Sequence, residues 1–523
     1  MIINNPILPG FRPDPSVCRV GDDYFLVNSS FEYFPGIPIY HSKDLINWTQ
    51  IGHVLTRPSQ LALKEGAPNR IGIYAPTIRY HEGTFYCIVT NVGGNPGGNF
   101  YVTAKDPFGE WSEPIFTDFG GIDPSLFFDD DGKVYYTGTD KGIFICEIDI
   151  KTGKAIGEKH YEAWGGTGAN NPEGPHLYKI NGYYYLLLAE GGTELCHMVT
   201  VARSKTVYGP YDECPFNPVL TNAGTRLDIK AAGHADLVSD VNGNWWAVCL
   251  GIRPSKYPFV HILGRETLLA PVMWGLGWPL IGLHGHVDSV MECAGSALPE
   301  NDGCDENESF FKPHGAYIDF NYKPGSDVVD EFTGNSLHPQ WNFIYDEVPG
   351  LVEIKEDGLH LNGNTKGISD DEKKAIICRR QEHFDFIATA DLEIERMAEG
   401  SEAGITIYMN NRHHYEAFVT CRGGNRYVVL RRRIGSLMAE ENSSRYDGQK
   451  ISLELSATKE NYSFAFTDED GKRTELGSGE SQYLSTEAGG CFTGNMIGLY
   501  ACVKAENTKD SVLVKRFCYK STK

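Results

Sequence analysis

Apolar and polar positions over the first 290 residues fall into one unit that returns five times. It has a small-residue or proline opening, an apolar residue three or four places on, a Gly/Asx turn, and then an aromatic-rich run. The copies run from Asp14-Pro-Ser-Val17 to Tyr24-Phe-Leu-Val27, from Ala75-Pro-Thr-Ile78 to Phe85-Tyr86, and from Asp123-Pro-Ser-Leu126 to Val134-Tyr-Tyr136. Two more run from Glu173-Gly-Pro-His-Leu177 to Tyr183-Tyr-Tyr185 and from Gly233-His-Ala-Asp-Leu237 to Trp245-Trp246. Their openings lie 61, 48, 50 and about 60 residues apart. The turns Gly21-Asp22, Glu82-Gly83, Asp131-Gly132, Asn181-Gly182 and Asn242-Gly243 each separate two strand-like runs, the pattern of a β-hairpin. A four-stranded propeller blade takes roughly 40 to 50 residues, so the pattern predicts an all-β chain that begins with a five-bladed β-propeller over residues 1–293.

From 294 to 327 the pattern is lost. Pro299-Glu-Asn-Asp-Gly303 and Lys323-Pro-Gly-Ser326 read there as a connector. Beyond it, alternating runs at 384–394, 403–409, 427–432, 451–455 and 511–517 predict a C-terminal β-sandwich over residues 328–523. No helical periodicity competes.

Composition agrees with this picture and narrows the partners. Among 523 residues, 58 Gly, 28 Tyr, 26 Phe and 8 Trp favour turn-rich β structure over a helical bundle. A formal net charge of −22 opposes binding to nucleic acid or to an anionic membrane. The longest nearly apolar stretch, 268–283, is broken by Pro271, Pro279 and three glycines and is too short to span a bilayer. The first residues lack a basic and then apolar leader, and the 13 cysteines are scattered without a C-x-x-C pair. Both features predict a cytoplasmic protein without disulfides or structural zinc.

The residues that open the repeats bear on chemistry. Where the second and fifth openings carry Ala75 and Gly233-His234, the other three carry Asp14, Asp123 and Glu173. If each opening strand lies innermost and all run the same way along one axis, these three carboxylates share one end of the channel. The fourth unit has one more residue between its acid and its apolar position, which predicts a bulge that re-aims the longer glutamate. Crowded carboxylates in a partly dry pocket cannot all ionise, so one should keep a proton near neutral pH while another stays a base. Cleaving an acetal needs such a pair, with a protonated acid under the leaving oxygen and a carboxylate to activate water or attack the sugar. The competing reading, that each Asp-Pro merely opens a turn, is weakened by recurrence at matched positions. Asp129-Asp-Asp-Gly132 lacks the alternating ligands of a calcium loop and reads as a hairpin turn.

Asn5-Pro-Ile-Leu-Pro-Gly-Phe-Arg-Pro-Asp-Pro-Ser16, with Tyr40-His-Ser-Lys-Asp-Leu45, Ala75-Pro-Thr-Ile78, Asp123-Pro-Ser125, Glu173-Gly-Pro-His-Leu-Tyr-Lys179 and Gly264-Arg-Glu-Thr267, resembles glycoside hydrolase family 43. Within it the chain is most similar to the two-domain β-xylosidases and α-L-arabinofuranosidases. Gly490-Cys-Phe-Thr-Gly494 resembles the loop by which that family's sandwich reaches the active site. The resemblance implies that Asp14 is the general base, that Glu173 is the general acid, and that Asp123 raises the acid's pKa and holds it in place. It also implies inversion at the anomeric carbon, with base and acid roughly 6.5 to 9.5 Å apart. By the same resemblance Arg265 binds sugar hydroxyls with its planar fork, and Phe31 and Phe492 line the sugar site. Phe492 would cap a cup for one terminal sugar. His234 lies beneath the pocket, where some relatives hold a structural calcium ion.

Tyr74 precedes Ala75 where relatives often carry Trp, which leaves the choice between xylose and arabinose open. The run Gly192-Thr-Glu-Leu-Cys-His197 departs from the better-known xylosidases and gives no role to Cys196 or His197. The expected activity is exo-acting, inverting release of terminal β-D-xylose from xylooligosaccharides, with α-L-arabinofuranosidase side activity and no cofactor for the chemistry. Arabinoxylan fragments with arabinofuranose as the main target are the near alternative, and a noncatalytic carbohydrate-binding propeller is the distant one. A retaining fructosidase propeller would carry Asn-Asp-Pro-Asn-Gly and Arg-Asp-Pro, whereas this chain has Arg12-Pro13-Asp14. Homo-oligomers are common among the proteins it resembles.

Overall fold

Each repeat opening becomes the first strand of its own antiparallel sheet. The leading strands are Ser16–Val20, Thr77–His81, Ile122–Phe128, Glu173–Ile180 and Lys230–Ser239, and each pairs with the strand after it to make the expected hairpin. At two of the turns, Glu82-Gly83 and Asn181-Gly182, both residues take positive φ (45° and 75°, 51° and 74°), the type I′ geometry that matches strand twist. The computed structural model describes residues 2–66, 70–162, 166–293, 322–490, 492–504, 510 and 512–522. Residues 294–321 of the expected connector, and Cys491 of the sandwich loop, lie outside the described residues.

The five sheets have four or five strands each, and their leading strands touch in cyclic order, first to second and on to the fifth, which returns to the first. Apolar cores lie between neighbours. Ile88 and Tyr101 of the second sheet meet Leu126, Tyr136 and Phe144 of the third. Tyr135 and Ile145 of the third meet Leu177, Leu186 and Leu188 of the fourth. The ring is closed from both ends of its chain segment, because Ile2–Asn4 pairs antiparallel with Val290–Glu292 and Leu8 bridges to Thr267.

The C-terminal part packs two antiparallel sheets face to face. One has eight strands, with Val512–Ser521 and Phe386–Glu393 at its centre, and the other runs in order Ala375–Arg380, Met496–Cys502, Glu402–Asn410, His413–Arg422, Asn425–Ile434, Leu437–Arg445. Ile377, Ile405, Ile407 and Leu499 of the six-stranded sheet share a core with Ala388, Leu453, Val514 and Phe517 of the other. Among the described residues the only helices are one turn at Ser481–Leu484 and one at Thr486–Gly489. The eleven described cysteines are free.

The two parts are joined through backbone. Tyr33–Phe34 pairs with Phe343–Ile344, Tyr345 N donates to Glu32 O at 2.7 Å, and Arg380 Nε donates to Phe11 O at 2.6 Å. The segment 481–495, between two sandwich strands, crosses to residues 261–265, where Thr486 N donates to His261 O (3.2 Å) and Asn495 N to Ile262 O (3.0 Å).

Candidate active site

Asp14, Asp123 and Glu173 stand at the start of three leading strands, and the local backbone explains how they leave the sheet. Asp14 and Asp123 take φ of 52° and 53°, a left-handed conformation that aspartate tolerates better than most residues but that still costs about 1–3 kcal/mol. Gly174 and His234 take φ of 57° and 47°. The residue in the left-handed place of the fourth strand is therefore Gly174, and Glu173 lies one position upstream. The expected bulge is present, since the ladder shifts register between Glu173 and His176, and it also occurs between Ile122 and Ser125. A Cβ at Gly174 would lie 3.0 Å from the His234 ring, so the close packing of these two strands requires glycine there.

Asp14 is buried. Its Oδ1 accepts from Arg265 Nη1 at 2.8 Å, its Oδ2 accepts from Ser29 Oγ at 2.5 Å, and His234 Nδ1 lies 4.0 Å from Oδ1. Burial alone would push this carboxyl up, but Arg265, His234 and the Ser29 hydroxyl outweigh it and hold it below the ordinary aspartate value. The other two acids are shifted the opposite way. Burial first, and the charges of Glu173 and Asp14 after it, hold Asp123 well above the usual range, although Gly174 N donates to its Oδ2 at 3.1 Å. Burial and the charge of Asp14 push Glu173 up to about 7. The Asp123–Glu173 pair thus retains a proton at neutral pH while Asp14 is ionised.

Three rings wall the site. Phe31 lies 5.2 Å from Tyr74 and 5.8 Å from Phe492, centroid to centroid, and Tyr74 meets Phe492 edge-on at 6.2 Å. The Arg265 guanidinium lies 5.7 Å from the Phe31 centroid and 5.8 Å from that of Phe492, and its Nη2 donates to Phe492 O at 3.4 Å. The Tyr74 hydroxyl donates to Arg70 O, and burial and the charges of Asp123 and Asp14 raise its pKa. Ala75, buried next in sequence, presents no polar side chain. Aromatic faces beside a few fixed hydrogen-bonding groups form a surface suited to a sugar ring.

His234 sits against Asp14 as expected, but the described side chains around it do not form a ligand set for calcium. Among the described residues no three His, Cys, Asp or Glu side chains converge as a ligand set. The carboxylates whose charge His234 feels are already compensated, Asp14 by Arg265 and Asp236 by Arg79. Calcium takes roughly six to eight oxygen ligands, and these two carboxylates are committed elsewhere.

Sequence reasoning gave no place to His197, which the structure buries completely beside the site. Its ring packs within 2.1 Å of where a Cβ on Gly233 would stand, and burial, His234 and Arg265 lower its pKa to about 3. Missed as well were Arg79, His176 and Asp236. The signal for them was available: polar residues inside otherwise apolar leading strands, His176 three places after Glu173, Asp236 two after His234 and Arg79 four after Ala75.

The family model described as Glycosyl hydrolases family 43 matches residues 3–279, and one described as a β-xylosidase C-terminal Concanavalin A-like domain matches residues 329–520. A non-reducing end α-L-arabinofuranosidase of Bacteroides ovatus is 39% identical over 505 residues, covering 95% of this chain and 90% of that protein. A xylosidase/arabinosidase of Butyrivibrio fibrisolvens is 42% identical over 439 residues, 80% of each. The solved structure of a Bacteroides ovatus xyloglucan PUL GH43B superposes with a TM-score of 0.90 at 36% identity, over 100% of both chains. With its ring of sheets read as the catalytic propeller of that family and its C-terminal part as the Concanavalin-like sandwich, this chain belongs to glycosyl hydrolase family 43 and is a glycoside hydrolase.

Proposed function

We propose that the protein is an exo-acting, inverting glycosidase that releases terminal β-D-xylose from xylooligosaccharides and also removes α-L-arabinofuranose. Its five sheets are five propeller blades occupying residues 1–293, and its sandwich, from residue 328, completes the pocket with the Phe492 loop. The observation that carries this reading is the opposite protonation of neighbouring acids: Asp14 is held ionised by Arg265 and Ser29, while Asp123 and Glu173 share a proton. In the reaction Asp14 takes a proton from water as the water oxygen attacks the anomeric carbon, and Glu173 gives its proton to the departing glycosidic oxygen. The bond to the leaving oxygen breaks as the bond to water forms on the opposite face, so configuration inverts. Asp123 keeps Glu173 protonated. Arg265 orients hydroxyls, and the wall of Phe31, Tyr74 and Phe492 holds the ring of one terminal sugar.

A second reading makes arabinofuranose the main substrate. It is favoured by the likeness to the Bacteroides ovatus α-L-arabinofuranosidase and by Tyr74, whose hydroxyl-bearing ring forms part of the wall. Comparing kcat/KM on 4-nitrophenyl β-D-xylopyranoside and 4-nitrophenyl α-L-arabinofuranoside separates the two. NMR of the sugar first released from xylobiose should find the α-anomer, and Asp14→Ala should abolish the release. Initial release of the β-anomer would refute inversion, and turnover of neither glycoside would refute the activity.

A further inference from the structure

Beneath the three carboxylates the channel is filled by polar side chains drawn from all five leading strands. Ser16, Ser125 and Asp236 stand two residues after Asp14, Asp123 and His234; His176 stands three after Glu173; and Arg79 enters from the second strand. Arg79 is the hub. Its Nη1 donates to Asp236 Oδ2 (2.8 Å) and Ser16 Oγ (3.2 Å), and its Nη2 donates to Asp236 Oδ1 (3.1 Å) and His176 Nδ1 (3.0 Å). Asp236 also accepts from Ser16 Oγ and Tyr178 Oη, both at 2.6 Å, and from Val17 N at 3.1 Å. Ser125 Oγ lies 3.1 Å from His176 Nδ1, which ties in the third strand.

A fully buried carboxylate requires a countercharge. Of the side chains that contact Asp236, two are hydroxyl-bearing and one is cationic, so Arg79 supplies the charge. His176 accepts from Arg79 at Nδ1 and is neutral, with burial first, and the Arg79 charge among the smaller influences, leaving its pKa at about 3. Entering from the second strand, Arg79 bonds to residues of the first, fourth and fifth, the strand that follows Asp14 and those that carry Glu173 and His234, and it joins them together with its partner Asp236, which reaches Ser16, Val17 and Tyr178. A point charge could neutralise Asp236, but the planar fork also sets the direction of each bond. Below the plug is a cavity of about 390 Å³ whose lining includes Arg79, Tyr178, Phe127 and Trp245.

We propose that Arg79 is a positioning residue for hydrolysis, the resident cation of the channel, whose guanidinium fixes the strands bearing Asp14, Glu173 and His234 in mutual register without a metal ion. The proposal rests on the functional reading above for its kinetic consequence and on the network alone for its consequence for stability. Displacements of about 1 Å can cost up to a hundredfold in rate, so Arg79→Ala should lose at least about tenfold in kcat while KM changes less than about threefold. Millimolar guanidinium, entering by the lower cavity, should recover part of that kcat and raise the variant's melting temperature. Wild type should be indifferent to EDTA and to added calcium in both measurements. Arg79→Lys keeps the charge without the fork and should fall between wild type and Arg79→Ala, which decides the matter if the alanine variant does not fold.

Wild-type kcat in either variant, a wild type destabilised by EDTA, or no response of the Arg79→Ala melting temperature to guanidinium would each overturn the proposal. The melting measurements need no substrate. A wild type that hydrolyses neither glycoside would therefore defeat the functional reading while leaving the need for a cation in the channel to be decided by the guanidinium response.

Discussion

Asp123 and Glu173 share a proton, and the proposed role of Asp123 is to tune how Glu173 titrates. Two carboxyls that share a proton titrate as a pair, and removing one takes away the repulsion that keeps the other protonated. Glu173 stands at about 7 in the intact site, where burial acts first and Asp14 second. Replacing Asp123 with Asn should let Glu173 lose its proton at lower pH, moving the alkaline limb of kcat/KM down by about one pH unit. The acid limb, assigned to Asp14 as the proposed base, should move little, because Arg265 and Ser29 still hold that carboxylate. A pH profile of Asp123→Asn with an unmoved alkaline limb would mean that Asp123 is protonated throughout and contributes no charge. Glu173→Gln removes the proposed acid, and its activity should drop by roughly a hundredfold or more on substrates with poor leaving groups.

Two elements bring the sandwich against the ring of sheets, and each depends on one residue. The loop 481–495 passes so close to 261–265 that a Cβ on Gly494 would lie 2.3 Å from Leu263 O, which makes the requirement for glycine one of space. Gly494→Ala must push the loop outward and carry Phe492 off the sugar wall, so KM should rise by about tenfold with a smaller change in kcat. An unchanged KM would separate Phe492 from substrate binding. The strand pair Tyr33–Phe34 with Phe343–Ile344 is preceded by Glu32, buried with no partner for either carboxylate oxygen among the described residues, and burial pushes its pKa from 4.5 up to about 8. The sign follows directly. A carboxyl raised on folding stabilises the protein fully below the unfolded value, and that contribution is lost as pH rises from about 4.5 to about 8. The loss is on the order of 5 kcal/mol at most. Glu32→Gln should therefore show a smaller fall in melting temperature than wild type between about pH 5 and pH 9. Equal slopes for the two proteins would show that Glu32 is already ionised.

At the scale of the whole molecule, the legible and the illegible parts divide by sequence distance. Hairpin repeats print themselves locally, so the opening strands, their turns and the three acids were readable, and the extra residue after Glu173 foretold its bulge. The left-handed backbone of Asp14 and Asp123 was not readable, because a residue before proline is ordinarily extended. Nor were the contacts that join the two parts, such as Arg12 Nη2 to Glu382 Oε1 at 2.7 Å, which spans 370 positions. That pair and Arg379, all fully buried, clamp the segment leading to Asp14, and such buried ion pairs serve geometry more dependably than stability. Apolar packing is equally shared: Phe25, Phe85 and Val89 of the first two sheets belong to the same core as Leu359, Ile377 and Phe517 of the sandwich. A core continuous across the junction leaves neither part able to unfold without exposing apolar surface of the other, at about 25 cal/mol per Å². Calorimetry should accordingly give one cooperative transition for the full chain, with activity lost along the same curve. Two resolved transitions, with hydrolysis surviving the first, would show that the sandwich is an appendage and that the pocket does not need it.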